Sequence, residues 1–159
     1  NPGKEALSEL AKCKSDLILE SVTYLDRDDA EALFSKSHGN LTVRLSSIDK
    51  HAAQSLANCM SPRINLSGRN YWQPEFGGDG INSLDKDVAE QLVKFKNKLT
   101  LKVQSINDVE LCRALAKFKG TKLNICSPKP RDERCIAYLN SNSRIQWIDL
   151  NSKKSFSDP

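Results

Sequence analysis

The sequence lacks the local motifs by which most enzymes and metalloproteins are recognised. Its five cysteines and two histidines form no CxxC pair and no cluster at zinc spacing. An HExxH helix, a nucleophile elbow and a phosphate-binding glycine loop with lysine are also missing. No apolar run approaches the ~20 residues needed to span a bilayer. We therefore expect no catalytic, cofactor or metal site and no membrane span.

The composition indicates one small folded domain. Of the 159 residues, 28% are charged and 38% hydrophobic, which is enough apolar material for a packed core. An odd number of cysteines without a regular framework favours a reducing compartment such as the cytoplasm. The net charge of +4 is lower than dedicated nucleic-acid-binding proteins usually carry, so a protein partner is favoured over nucleic acid.

What the sequence does contain is a repeat. An apolar residue followed three places later by leucine recurs every 23 or 24 residues, apart from one interval of 36 that equals a normal period plus an insertion of 13. The copies are Leu7/Leu10, Ala30/Leu33, Ala53/Leu56, Ala89/Leu92, Cys112/Leu115 and Ile136/Leu139. Such a period is typical of a solenoid, in which each unit contacts only its neighbours.

Each copy has the same two halves. An alternating apolar pair follows the leucine, and alternation with a period of two predicts a short half-buried strand. The pairs are Leu17/Leu19, Leu41/Val43, Ile64/Leu66, Leu99/Leu101, Leu123/Ile125 and Ile145/Trp147. A candidate helix cap then precedes a stretch of helical spacing, at Asp26, Asp49, Asp85 and Asn107. The strands are predicted to pair in parallel, with the helices covering one side of the sheet.

Two stretches, Leu41–Ala57 (LTVRLSSIDKHAAQSLA) and Leu99–Asp108 (LTLKVQSIND), resemble the leucine-rich repeat family, and in particular its short, alanine-rich αβ type from bacterial proteins. The resemblance implies a protein-interaction module. Together with the repeat, it leads us to expect an α/β fold, a right-handed solenoid of about six units over residues 1–150. Residues 151–159 are expected to form a tail or linker.

The repeat register also assigns the cysteines. Cys13, Cys59, Cys112 and Cys135 fall at inward positions and are predicted to be buried thiols. Cys126 alone falls on the outer side of a strand. A disulfide between Cys112 and Cys135 of adjacent units is the alternative to two free thiols.

Three rows of residues are predicted on the outer side of the sheet. They are Asp16, Asn40, Arg63, Lys98, Lys122 and Arg144; then Ile18, Thr42, Asn65, Thr100, Asn124 and Gln146; then Glu20, Arg44, Ser67, Lys102, Cys126 and Ile148. The first and third rows carry six cations, and their only acids belong to the first unit. Lys98 and Lys122 are expected to be direct neighbours ~4.8 Å apart, where like charges repel unless they are solvated or bound to an anion.

Two interpretations of this basic face are open. It is either a solvated surface on which long side chains splay apart, or a groove for an acidic protein partner. The groove would use the six cations Arg44, Arg63, Lys98, Lys102, Lys122 and Arg144. No aromatic stacking platform interleaves them, which argues against nucleic acid. The alternatives are a binder of polyanions (nucleic acid or acidic polysaccharide) and an architectural or regulatory domain of a larger protein.

The insertion, residues 68–80, is the second candidate site. It holds Arg69, Tyr71 and Trp72 among glycines and a proline, which predicts a loop at the carboxyl edge of the sheet. Either its aromatic side chains anchor a partner or they cover the core of their own unit. The overall expectation is a non-enzymatic binding module; the partner's identity and the oligomeric state do not follow from the sequence.

Overall fold

The fold is a layer of helices on one side of a parallel sheet. The computed structural model describes residues 3–66, 80–128 and 130–149, and within these ranges six helices alternate with six strands. The elements are α1 (Lys4–Leu10), β1 (Leu17–Leu19), α2 (Arg27–Phe34), β2 (Leu41–Val43), α3 (Lys50–Ala57), β3 (Arg63–Asn65), α4 (Lys86–Leu92), β4 (Lys98–Lys102), α5 (Val109–Leu115), β5 (Lys122–Ser127), α6 (Glu133–Asn140) and β6 (Ile145–Asp149). None of these helices is both long and apolar enough to cross a lipid bilayer. The predicted tail, residues 151–159, lies outside the described ranges.

The strands follow one another across the sheet in chain order, and each neighbouring pair is parallel. Consecutive helices of the described chain likewise pack against each other, from α1 against α2 to α5 against α6. The apolar residues predicted to be equivalent lie side by side, as Leu41 beside Ile64 and Leu99 beside Leu123 show. The predicted α/β class, the parallel sheet and the alternating helices are confirmed.

Alternation along the strands places one set of side chains between the sheet and the helices. In β2–β5 and the residue that follows β3, the predicted apolar pairs are fully buried: Leu41, Val43, Ile64, Leu66, Leu99, Leu101, Leu123 and Ile125. The helices contribute the repeat's own pairs, such as Ala53 and Leu56 of α3, both 0% exposed. Because full burial of a leucine or isoleucine contributes ~1.5–3 kcal/mol, this shared core is what joins one unit to the next.

The two ends of the stack are less well covered. The inward residues of β1 and β6 are only half-buried, since each strand has a neighbouring strand on one side among the described elements. Trp147 packs against the core from β6, and its Nε1–H donates to the backbone oxygen of Ser127 at 3.3 Å. Leu10 at the end of α1 is 37% exposed, whereas the equivalent leucines Leu33 and Leu56 of the next two copies are buried. Among the described helices, α1 packs against α2 on one side only, which explains the difference.

Aspartate caps most of the helices. Three predicted caps are observed, each accepting a backbone N–H of the first turn at 2.8 Å: Asp26, Asp49 and Asp85. The cap of α5 was predicted one residue too early, since Asp108 and not Asn107 accepts the N–H groups of that turn. Asn107 Oδ1 instead accepts the backbone N–H of Arg131 in the next unit, at 3.2 Å. A side-chain cap is worth ~1 kcal/mol, so these residues fix where each helix begins.

The third unit shows how the sheet accommodates the insertion. Leu66 follows β3, and its N–H donates to the backbone oxygen of Thr100 at 2.9 Å. The chain returns at Ile81, whose N–H donates to the backbone oxygen of Lys102 at 2.8 Å. Gly80, just before it, has φ +63°, and a Cβ there would lie 2.7 Å from the same oxygen of Lys102. The backbone N–H groups of Leu66 and Ile81 therefore bond to β4 two residues apart, and both side chains are buried.

Candidate interaction face

The outer side of the sheet carries three rows of side chains that run across the strands, in the predicted register. The first row is Asp16, Asn40, Arg63, Lys98, Lys122 and Arg144, and we call its last four members the cation row. The middle row is Ile18, Thr42, Asn65, Thr100, Asn124 and Gln146. The described members of the third row are Glu20, Arg44, Lys102, Cys126 and Ile148.

The cation row places four positive side chains on consecutive strands. Arg63 pairs in register with Lys98, and Lys98 with Lys122. Arg144 directly precedes β6, and its backbone oxygen accepts the N–H of Leu123, which sets it beside Lys122. Neighbouring strands lie ~4.8 Å apart. Burial, together with the positive charges of Arg63 and Lys122, lowers the pKa of Lys98. The positive charges of the cation row therefore repel one another, and this repulsion disfavours the charged form of Lys98.

Six ion pairs join residues on the helical side of the molecule. They are Lys4–Asp28, Lys12–Glu9, Lys50–Asp87, Lys86–Glu110, Arg113–Glu110 and Arg134–Asp132. Among the described residues, no carboxylate lies within ion-pair distance of the cation row. Arg144 is held by a backbone group instead, since its Nη1 donates to the carbonyl oxygen of Lys119 at 2.8 Å. The cation row thus carries four positive charges with no carboxylate of the described residues at ion-pair distance.

The opposite end of the first row is acidic. Asp16 Oδ1 accepts a hydrogen bond of 2.9 Å from Asn40 Nδ2 on the adjacent unit. Glu20 adds a second carboxylate from the same unit in the third row. The strand face therefore changes from negative at β1 to positive from β3 to β6. An acidic ligand is attracted to the positive part and repelled from the negative part, which restricts where it can dock.

The middle row is uncharged and closely packed at its centre. Thr100 and Asn124 are only 4% and 6% exposed, and Asn124 Nδ2 donates to Thr100 Oγ1 at 3.3 Å. Asn124 Oδ1 is buried and accepts no hydrogen bond. A buried acceptor without a donor costs ~1–3 kcal/mol. Sequence reasoning missed this feature, because the period-two pattern assigns Asn124 to the outer face and says nothing of its depth.

The third row corrects the expectation for Cys126. Its register is as predicted, but its side chain is 0% exposed and not solvated. Lys102 and Ile148 flank it in register, and both are half-buried. Burial raises the pKa of Cys126 to about 11, although the charge of Lys102 opposes this rise. The thiol is therefore protonated at neutral pH. Arg44, further along this row, is exposed.

The other cysteines follow the repeat register with one exception. Cys59, Cys112 and Cys135 are buried as predicted, whereas Cys13 is exposed because it lies beyond the end of α1 in the outermost described unit. Cys112 and Cys135 are free thiols. Burial and a hydrogen bond with Cys135 raise the pKa of Cys112 well above its usual range. The Cys112 thiol is therefore protonated at neutral pH.

Three predicted binding residues, Arg69, Tyr71 and Trp72, lie outside the described residues, within 67–79. In the described ranges, no three histidine, cysteine, aspartate or glutamate side chains converge as a metal site. On the helical side, α2 and α3 enclose an open groove of about 370 Å³. Its lining mixes Arg27 and Glu31 with His51 and polar residues, so it presents no field of one sign. No sequence pattern pointed to this groove.

No model of a known protein family matches the chain, and a search of curated proteins found no match. The geometry and charge of the strand face are therefore what indicate a function.

Proposed function

We propose that this chain is a non-enzymatic binding module that receives an acidic protein partner on its strand face. The cation row carries the proposal: four cations stand on consecutive strands, and no carboxylate of the described residues pairs with them. Like charges at this spacing repel one another, and the carboxylates of a partner would turn that repulsion into attraction. The polar middle row beside them would supply hydrogen bonds.

We also propose that the stack is a right-handed solenoid of the leucine-rich type. Connections between parallel neighbouring strands are right-handed in nearly all proteins, and the repeat of 23 or 24 residues suits one strand and one short helix. Such a stack offers a continuous strand face for binding. In this proposal Arg69, Tyr71 and Trp72 of the insertion add anchoring contacts at one edge of that face.

The proposal is tested by charge reversal on the two sides of the molecule. Lys98→Glu with Lys122→Glu alters the cation row, and Lys94→Glu with Lys117→Glu makes the same charge change at exposed positions on the helical side. Binding of fluorescently labelled poly-glutamate is measured by anisotropy at low ionic strength. We expect the strand-face variant to lose affinity at least tenfold and the helical-side variant to lose much less. Equal losses would mean that affinity follows net charge alone, and the strand-face assignment would be wrong.

The competing function, binding of a polyanion, predicts a different order of ligands. A heparin fragment and a single-stranded oligonucleotide of matched charge are titrated beside poly-glutamate over a range of salt. We expect the acidic polypeptide to bind most tightly. A tighter oligonucleotide or heparin complex, weakening linearly on a logarithmic salt axis, would favour the polyanion function.

A further inference from the structure

We infer that the partner segment held by the cation row is an acidic α-helix laid across the strands, with carboxylates at positions i, i+3, i+7 and i+10. The inference rests on the proposed function and specifies the secondary structure and charge spacing of the partner.

The spacing of the cations comes from the sheet itself. Arg63, Lys98, Lys122 and Arg144 occupy equivalent positions on β3 to β6, so the row runs across the strands. One strand spacing is ~4.8 Å, which sets the cations at about 0, 4.8, 9.6 and 14.4 Å along a line. A ligand that pairs with each of them needs four carboxylates on one side at nearly this interval.

An α-helix meets this requirement more closely than an extended chain does. Residues i, i+3, i+7 and i+10 share one helical face and rise by about 0, 4.5, 10.5 and 15 Å. Each carboxylate then falls within about 1 Å of a cation position along the row. In an extended segment, residues on one side repeat every ~6.7 Å, so the second and third carboxylates are displaced by about 2 and 4 Å. Flexible lysine side chains reduce this mismatch without removing it.

Negative charge at β1 limits where the helix lies. Asp16 at the end of the first row repels carboxylates, which favours a position of the acidic stripe over β3–β6. The partner's amino-terminal end, which carries the positive end of the helix dipole, is favoured toward Asp16.

Three synthetic peptides of about 18 residues and equal net charge test the inference. The first is helical, with four glutamates at i, i+3, i+7 and i+10; the second is helical, with the same glutamates spread around the helix. The third places them at alternate positions in a sequence of low helix propensity. Titration calorimetry measures each against the wild-type chain, the Lys98→Glu/Lys122→Glu variant and the Lys94→Glu/Lys117→Glu control.

We expect the striped helix to bind at least tenfold more tightly than either other peptide, and to lose that advantage only with the strand-face variant. If the alternating or spread peptide binds as tightly, the helix inference is overturned while the acidic-partner function stands. If none of the acidic peptides binds, the proposed function is overturned as well. Circular dichroism of each variant shows whether it retains the fold, and neutral Lys98→Gln/Lys122→Gln replaces any reversal that does not.

Discussion

The pair formed by Thr100 and Asn124 allows a test of how hydrogen bonding and stability are balanced on the strand face. We predict that the double substitution Thr100→Val and Asn124→Leu makes the free protein more stable. Both side chains are nearly buried, at 4% and 6% exposure, and they share one hydrogen bond of 3.3 Å. The acceptor Asn124 Oδ1 has no donor, so the wild-type pair holds one satisfied and one unsatisfied contact.

The expected magnitude follows from these contacts. Losing the hydrogen bond costs about 0.5–1.5 kcal/mol, whereas removing the unpaired acceptor gains about 1–3 kcal/mol. The double variant should therefore gain about 1 kcal/mol in the free energy of unfolding. Thr100→Val alone should lose about 1–3 kcal/mol, because Asn124 Nδ2 then also lacks a partner. Asn124→Leu alone should be less stable than the double variant, because the buried Thr100 Oγ1 then lacks its hydrogen-bond partner.

Urea unfolding followed by circular dichroism, on the wild type and the three variants, completes a double-mutant cycle. Thr42→Val is the matched control, since Thr42 occupies the same row but is half-exposed, and its change should stay within about 0.5 kcal/mol. A double variant less stable than the wild type would refute the reasoning, because it would mean that Asn124 Oδ1 is satisfied.

Three further predictions concern single sites. Gly120→Ala should destabilise the protein by about 1–3 kcal/mol, since a Cβ there would lie 2.5 Å from the backbone oxygen of Phe95; urea unfolding without a shift would contradict this close approach. Lys122→Met should raise the pKa of Lys98 toward its ordinary value, followed by NMR titration of the Lys98 side chain. Because folding lowers the pKa of Lys98, the folded chain releases this proton at a lower pH than the unfolded chain does. The free energy of unfolding should therefore increase as the pH rises from the folded-state pKa to the unfolded-state pKa of Lys98. The substitution Lys98→Met should abolish this increase. Native alkylation with iodoacetamide should modify Cys13 first, and mass spectrometry showing a buried cysteine modified as fast would contradict the burial described.

The strands, their register and most helix starts could be predicted because they depend on local patterns. The period-two apolar pairs, such as Leu99/Leu101, point inward wherever a strand forms, and repetition aligns one copy with the next. Asp49 and Asp85 can cap a helix through contacts within four residues, so the sequence alone identifies them.

Other features depend on neighbours that a local pattern does not contain. Asn107 and Asp108 are both capable caps, and the choice is made by a contact between Asn107 and the next unit. The period-two alternation along β5 predicts correctly on which side of the sheet Cys126 lies. Its complete burial depends on the side chains that surround it, which the alternation does not describe. The repeat predicts that Cys13 is buried, because the equivalent residues of the interior units are buried. At the end of the stack this position lacks the packing that would cover the side chain.

The way the third strand is interrupted has a consequence for how this chain could diversify. The backbone N–H groups of Leu66 and Ile81 donate to the carbonyl oxygens of Thr100 and Lys102, which lie two residues apart on β4. The hydrogen bonding to β4 that ends at Leu66 is therefore continued at Ile81. We expect a replacement of residues 67–79 that keeps Gly80, where φ is +63°, to leave both of these hydrogen bonds in place. Different recognition segments could then be exchanged between Leu66 and Gly80 without a change to the rest of the sheet.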